Sequence, residues 1–227
     1  MNIYGLSAMD AARLLDTCST GIVIIGVLIA GTRNIGRAIW LVAAQAILLS
    51  VAVAGVGLAT HSNHLLLGSL VTFASRGIVV PLALGRILRQ SPVRQERNLY
   101  LGPRLSLIAA IVIVFVAAMT VDSAAPGGSF GSVDAPRALP ASVAEVLTGL
   151  LIVMTRRKGL SIVVGLLVFE NGLALTAFSL TYGMPIVVEL GATFDLLMVV
   201  VVVGVYARRM LTVFGSLSTD HLRNLRG

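Results

Sequence analysis

The sequence predicts an all-α integral membrane protein of about seven transmembrane helices, with the N-terminus outside and the C-terminus in the cytoplasm. Three observations predict it. Of 227 residues, 57% are hydrophobic and only 12% are charged, whereas soluble domains run near 45–50% apolar and about 25% charged. Long apolar runs recur along the whole chain, and basic residues gather in alternate connections between them. The same apolar bias excludes a disordered chain. Seven spans of roughly 20 residues each leave short loops and no room for a separate soluble domain. The lone cysteine, Cys18, permits no internal disulfide and no all-cysteine metal cage.

The first apolar run, 17–32, follows Met1–Asp16, which carries Asp10, Arg13 and Asp16. A secretory signal peptide would show a basic start and a small-residue cleavage site after the run. This segment shows neither convincingly, so it is expected to be a retained first helix. The second run, 38–60, ends at the short turn HSNH, and the third, 64–88, contains Pro81. The fourth run is 105–121. Segment 122–140 (DSAAPGGSFGSVDAPRALP) is rich in Gly, Pro and Ser, which suits a flexible external linker. The fifth and sixth runs, 138–155 and 160–182, are separated by Arg156-Arg157-Lys158. Tyr182-Gly183-Met184-Pro185 reads as a tight turn into the seventh run, 184–207. The expected organisation is a four-helix part (1–121), the linker (122–140), a three-helix part (141–211) and a polar cytoplasmic tail (212–227).

Charge placement sets the orientation. Arg33 and Arg37 follow the first run, and Arg86, Arg89, Arg94, Arg97 and Arg104 follow the third. Arg156, Arg157 and Lys158 follow the fifth, while Arg208, Arg209, Arg223 and Arg226 follow the seventh. These are 14 of the 17 basic residues, and the opposite connections hold only Arg13 and Arg137. Basic loops stay in the cytoplasm. The net charge of +7, which in a soluble protein would point to nucleic acid, is thus accounted for by topology. The expected surroundings are a lipid bilayer, with no nucleic-acid partner.

Five titratable residues fall inside the expected spans: Arg76, Glu145, Glu170, Glu189 and Asp195. A charge at the bilayer centre costs at least ~2.5–3.5 kcal/mol, so such residues face a bundle interior or a wet cavity. Arg76, Glu170 and Asp195 each lie near the middle of their span, and Glu145 lies about one turn off centre. Two readings stand. In one, Arg76 and an acid form a buried structural ion pair and the remaining acids are neutral. In the other, the acids form a lateral row of proton-exchange sites that Arg76 tunes without giving up its own proton. Glu189, six residues before Asp195, sits on a different helix face near the outer end. Asn171 adjoins Glu170 and can hydrogen-bond in the bundle. Gln45 is uncharged and suits a link between helices. Pro81, five residues after Arg76, can kink its helix and free a carbonyl. His61 and His64 read as loop residues, with no third metal ligand nearby in sequence. No P-loop, dinucleotide glycine fingerprint, CxxC or His-rich set is present, so neither a catalytic centre nor a cofactor or metal site is expected in this chain.

Four segments carry a family resemblance: RRKGLSIVVGLLVFENGLALTAF (156–178), VVELGATFDLLMVVVVVGVYARR (187–209), SLSTDHLRNLRG (216–227) and SRGIVVPLALGRIL (75–88). Together they resemble the hydrogenase-4 component E family of membrane subunits, known from formate hydrogenlyase-type complexes. Residues 143–227 also resemble the three-helix K subunit of bacterial respiratory complex I. Asp195, 13 residues before Arg208, matches the second intramembrane acid of that subunit, as Asp in place of Glu. The first acid would fall at Leu167, whereas here it is Glu170, in a Glu-Asn-Gly arrangement like that of the hydrogenase family. Arg76 lies where that family can carry a Lys.

The resemblance implies a non-catalytic subunit of a membrane-bound hydrogenase or complex I-like assembly. It would sit in the cytoplasmic (inner) membrane of a bacterium or archaeon. Its partners would be antiporter-like membrane subunits and a nickel–iron hydrogenase or related redox module. Glu170, Asp195 and Arg76, with Glu145, would lie on a midplane proton or sodium path, supported by Asn171 and Glu189. The alternatives are a purely structural assembly subunit and a self-sufficient small ion transporter.

Overall fold

The computed structural model describes residues 8–90, 100–124, 129–130, 133–134 and 138–181. The seventh run with its leading turn, Glu189 and Asp195, and the tail 212–227 lie outside these residues. The described part is helical apart from one pair of two-residue strands, and six of its helical segments are long and apolar enough to cross a membrane.

Helix α1 runs Ala8–Gly31, so it starts nine residues before the apolar run. Asp10, Arg13 and Asp16 recur every three residues and share one face of the helix, which leaves Ala11 and Cys18 free to be buried. Asp10 also complements the positive end of the helix dipole. Helix α2, Ile35–Ala59, starts at Asn34, whose side chain accepts a hydrogen bond from the Arg37 N–H at 3.2 Å. That cap explains why α2 begins before the apolar residues do. His61, at φ 53°, turns the chain into the next helix.

The third span has three parts: α3 (Asn63–Thr72), a π-helical stretch (Phe73–Val79) and α4 (Val80–Gln90). Within the π-helical stretch the Val80 N–H bonds to the Ser75 carbonyl, five residues back. Pro81 lacks an N–H for the Gly77 carbonyl, and its ring crowds that carbonyl. The wider turn just before Pro81 accommodates both. Helix α5, Pro103–Ala124, opens with a proline at its first helical position. Between α5 and α6, Ser129–Phe130 (β1) pairs antiparallel with Val133–Asp134 (β2) inside the segment expected to be a linker. Helices α6 (Ala138–Thr155) and α7 (Gly159–Thr181) follow.

Helix α1 packs against α2, α5 and α6, while α7 packs against α6 and α2. The described helices of the two sequence parts therefore share one bundle. The α6–α7 contact is the most extensive and is made by glycines. Gly149 lies against the Phe169 backbone, Gly165 against Ile152 and Val153, and Gly172 against Val146. Small residues let two backbones approach this closely, which is how helices gain packing in a solvent as apolar as their side chains. Leu105, Ile108, Ile111, Val112, Phe115 and Met119 of α5 are exposed, a face suited to lipid.

One end of the bundle collects positive charge. The Arg156 guanidinium donates from Nη2 to the Ile29 and Ala30 carbonyls at 3.1 and 2.8 Å, satisfying the last carbonyls of α1. The Tyr100 N–H donates to the Thr155 carbonyl at 3.2 Å, and the Arg157 guanidinium lies 3.9 Å from the Tyr100 ring centroid. The C-terminal ends of α1 and α6 and the approach to α5 therefore meet at one end. Arg156, which the sequence groups with the loop charges, is buried.

Two tests follow from this architecture. Gly149→Val should cost about 1–3 kcal/mol by forcing α6 and α7 apart. Gly85→Ala, with open space around it, should change stability by less than about 1 kcal/mol, and thermal unfolding in detergent compares them. In a Cys18→Ala background, Ser123→Cys should react with a membrane-impermeant maleimide in intact cells while Arg89→Cys should not, if the basic end faces the cytoplasm.

Candidate functional site

The buried apolar residues fall largely into two layers. The layer toward the basic end contains Ile29, Ile35, Ala38, Val42, Val80, Leu84, Ile152 and Val168. The layer toward the other end contains Ile22, Leu49, Val53, Leu65, Leu175 and Phe178. Between them in sequence position lie Gln45 of α2, Arg76 of the third span, and Glu170 and Asn171 of α7, and Glu145 of α6 joins them through its hydrogen bond with Gln45. The shared depth read from the sequence corresponds to a polar layer held between two apolar ones.

Two polar contacts organise it. The Arg76 guanidinium forms an ion pair with the Glu170 carboxylate through Nη2 and Oε1. Arg76 is 4% exposed and the Glu170 side chain 17%. The pair joins the third span to α7, and it brings together two residues that the sequence placed only at a common depth. The second contact centres on Glu145, which is fully buried. Gln45 donates from Nε2 to Glu145 Oε1 at 2.5 Å and to the Ile22 carbonyl at 2.9 Å, tying α2 to α6 and α1. Gly26 of α1 faces the Glu145 carboxyl, and a β-carbon there would overlap both carboxyl oxygens.

Asn171 is buried, and among the described residues neither its Oδ1 nor its Nδ2 has a hydrogen-bond partner. It lies between Val168 of one apolar layer and Leu175 of the other at three- and four-residue spacings, so it shares their helix face. Gln45 Oε1, Arg76 Nε, Glu145 Oε2 and Thr148 Oγ1 are buried and have no partner among the described residues either. Nearly all buried polar groups find partners, and most of these orphans are concentrated in this one layer.

Sequence reasoning named Arg76, Glu145, Glu170 and Asn171, and all four sit in this layer. Glu189 and Asp195 lie outside the described residues. It treated Gln45 as a neutral link between helices and missed its pairing with Glu145; the available signal was a lone amide in an otherwise apolar span. Gly26 gave no signal, because its role depends on which side chain another helix presents. His61 is exposed at the turn between α2 and α3, and His64 is exposed in the first turn of α3. Among the described residues no group of three or more His, Cys, Asp or Glu side chains could hold a metal ion.

The chain is 31% identical over 225 residues to the uncharacterized protein Rv0085 of Mycobacterium tuberculosis, a similarity that covers 97% of this chain and 100% of that protein. It is 27% identical over 166 residues to hydrogenase-4 component E of Escherichia coli K12, covering 73% of this chain and 76% of that protein. The same identity and coverage hold for hydrogenase-4 component E of Shigella flexneri. No family model matches the chain, and no solved structure does either.

The ion pair can be tested by breaking one side or both. Arg76→Met should destabilise the protein by up to about 3–5 kcal/mol, because it takes the counter-charge from a largely desolvated carboxylate, whereas Arg76→Met with Glu170→Leu should recover most of that loss. Thermal unfolding of the single and double variants measures the difference.

Proposed function

We propose that this chain, which belongs to the family of the Mycobacterium tuberculosis protein Rv0085, is a membrane subunit of a hydrogenase-like complex and contributes a midplane ion path to it. Similarity to hydrogenase-4 component E supports the complex, and six helices able to span a membrane support the setting. The observation that carries the ion path is the polar layer, with Arg76, Glu145, Glu170, Gln45 and Asn171 held at one depth between two apolar layers.

The chemistry follows from the ion pair. Arg76 stays charged under all working conditions. Protonation of Glu170 would cancel its attraction for Arg76 and leave a bare positive charge in the layer. That charge would favour ionisation of the next carboxyl along the row, so protons would advance as ion pairs exchange partners. Asp195, with Glu189 nearer water, would continue the row in the seventh span. The ion is a proton in this reading, with sodium as the alternative. The partners are antiporter-like membrane subunits and a nickel–iron hydrogenase or related redox module, which supplies the driving reaction. This chain would act without a cofactor of its own, in the inner membrane of a bacterium or archaeon.

A second reading has one observation in its favour: Glu170 is already closed on Arg76, as a purely structural subunit would have it. Substitution separates the two. Affinity capture of the tagged chain from native membranes in mild detergent, followed by mass spectrometry, should recover antiporter-like subunits and a hydrogenase-type module. Recovery of the chain alone would instead direct attention to a self-sufficient transporter. In the assembled complex, Glu170→Gln should slow coupled ion movement about tenfold, the effect of ~1.4 kcal/mol on a barrier, without loss of subunits. Loss of assembly with unchanged coupling per assembled complex would support the structural role.

A further inference from the structure

Charge does not balance in the polar layer. Among the described residues it holds one cation, Arg76, and two carboxyls, Glu145 and Glu170, and Arg76 is paired with Glu170. Arg156 is also buried, but its guanidinium sits on the Ile29 and Ala30 carbonyls at the basic end. Among the described residues, the groups packed against the Glu145 carboxyl include Gly26 from α1 and the Gln45 amide from α2, while α7 presents Gly172 to the Glu145–Val146 backbone. Among the described residues, no Lys, Arg or His forms a salt bridge with Glu145. A carboxylate buried without a counter-charge is far more costly than a neutral carboxyl.

The hydrogen-bond inventory points the same way. Gln45 commits its Nε2 hydrogens to the Ile22 carbonyl and to Glu145 Oε1. Among the described residues this leaves Gln45 Oε1 as an acceptor with no donor, and Asn171 Oδ1 in the same layer lacks one too. Glu145 Oε2 is likewise without a partner among them. Orphaned donors, Arg76 Nε and Asn171 Nδ2, occur in the layer beside these acceptors, but the hydrogen bond that Glu145 receives comes from the neutral Gln45 amide, and a carboxylic acid adds an O–H where a carboxylate supplies only acceptors. Gly26, by leaving out a side chain, provides the slot in which the carboxyl head sits.

We propose that Glu145 is a proton-holding site in its own right. It carries the proton on Oε2 in the resting protein, Gln45 acts as the positioning residue that fixes the carboxyl through Oε1, and Glu170 remains the ionised partner of Arg76. The proposal deepens the ion-path reading by naming the carboxyl that is loaded. Its test reads protonation and not transport, so failure of one is distinguishable from failure of the other.

The experiment is infrared spectroscopy of the full-length chain in lipid nanodiscs, in H₂O and in D₂O. The wild type should show a protonated-carboxyl stretching band that shifts on deuteration. Glu145→Gln should remove that component and Glu170→Gln should leave it. Gln45→Leu should move it to higher frequency, because the carboxyl carbonyl loses the hydrogen bond from Nε2, whereas a side chain that served packing alone would leave the frequency unchanged. Glu145→Asp keeps the carboxyl but shortens its reach toward Gln45, and should shift the band, so the assignment does not depend on the glutamine variant folding. Absence of the band from the wild type overturns the proposal. So does a band that survives Glu145→Gln and disappears in Glu170→Gln, or one that Glu145→Asp and Gln45→Leu both leave unmoved.

Discussion

An arginine in the middle of a membrane-spanning helix must find an anion or draw water down to itself, because hydrocarbon solvates neither the guanidinium nor its desolvated donors. Here Arg76 finds Glu170. That requirement fixes the distance and rotation between the third span and α7, and α7 in turn sets α6 through their glycine contacts. The helix that carries Arg76 is itself irregular at that point. The π-helical turn from Phe73 to Val79 absorbs the backbone demand of Pro81, and it holds the residue that makes the ion pair. A backbone irregularity and a buried charge on the same seven residues place the most strongly constrained part of the molecule in the polar layer.

Apolar packing closes the polar layer on both sides. Leucine, isoleucine and valine side chains toward each end exclude bulk water, and in that environment hydrogen bonds and charges interact strongly. The same exclusion makes each orphaned acceptor expensive. Glu145 and Gln45 meet on α6 and α2 because Gly26 leaves space on α1, while the glycines of α7 let it seat tightly on the other side of α6. Arg156 contributes from a distance. By accepting burial at the basic end it ties the end of α1 to the end of α6, and so fixes the relative height of Gly26 and Glu145.

Relatedness and geometry support different parts of the functional reading. The family tie to Rv0085 spans nearly the whole chain but carries no activity. The more distant similarity to hydrogenase-4 component E supplies the kind of assembly. The geometry bears on mechanism: an always-charged base closed on one carboxyl, with a second carboxyl close by that lacks a cation among the described residues.

Composition and charge spacing were enough to read a helical membrane protein, the approximate bounds of six of its spans, and the grouping of basic residues between alternate helices. These are properties of a chain against its solvent: about 20 apolar residues span hydrocarbon wherever they occur, and charge is resisted there residue by residue. The depth of Arg76, Glu145, Glu170 and Asn171 was legible for the same reason, since rise along a helix is a fixed function of position. Partnership was not. That Arg76 meets Glu170, that Gln45 serves Glu145, that Gly26 opens a slot for a carboxyl 119 positions away, and that Arg156 is a buried cap were all decided by the tertiary structure. Each depends on the rotation of one helix about its axis relative to another, and that rotation is set by the summed packing of whole helix faces, which no local stretch of sequence encodes.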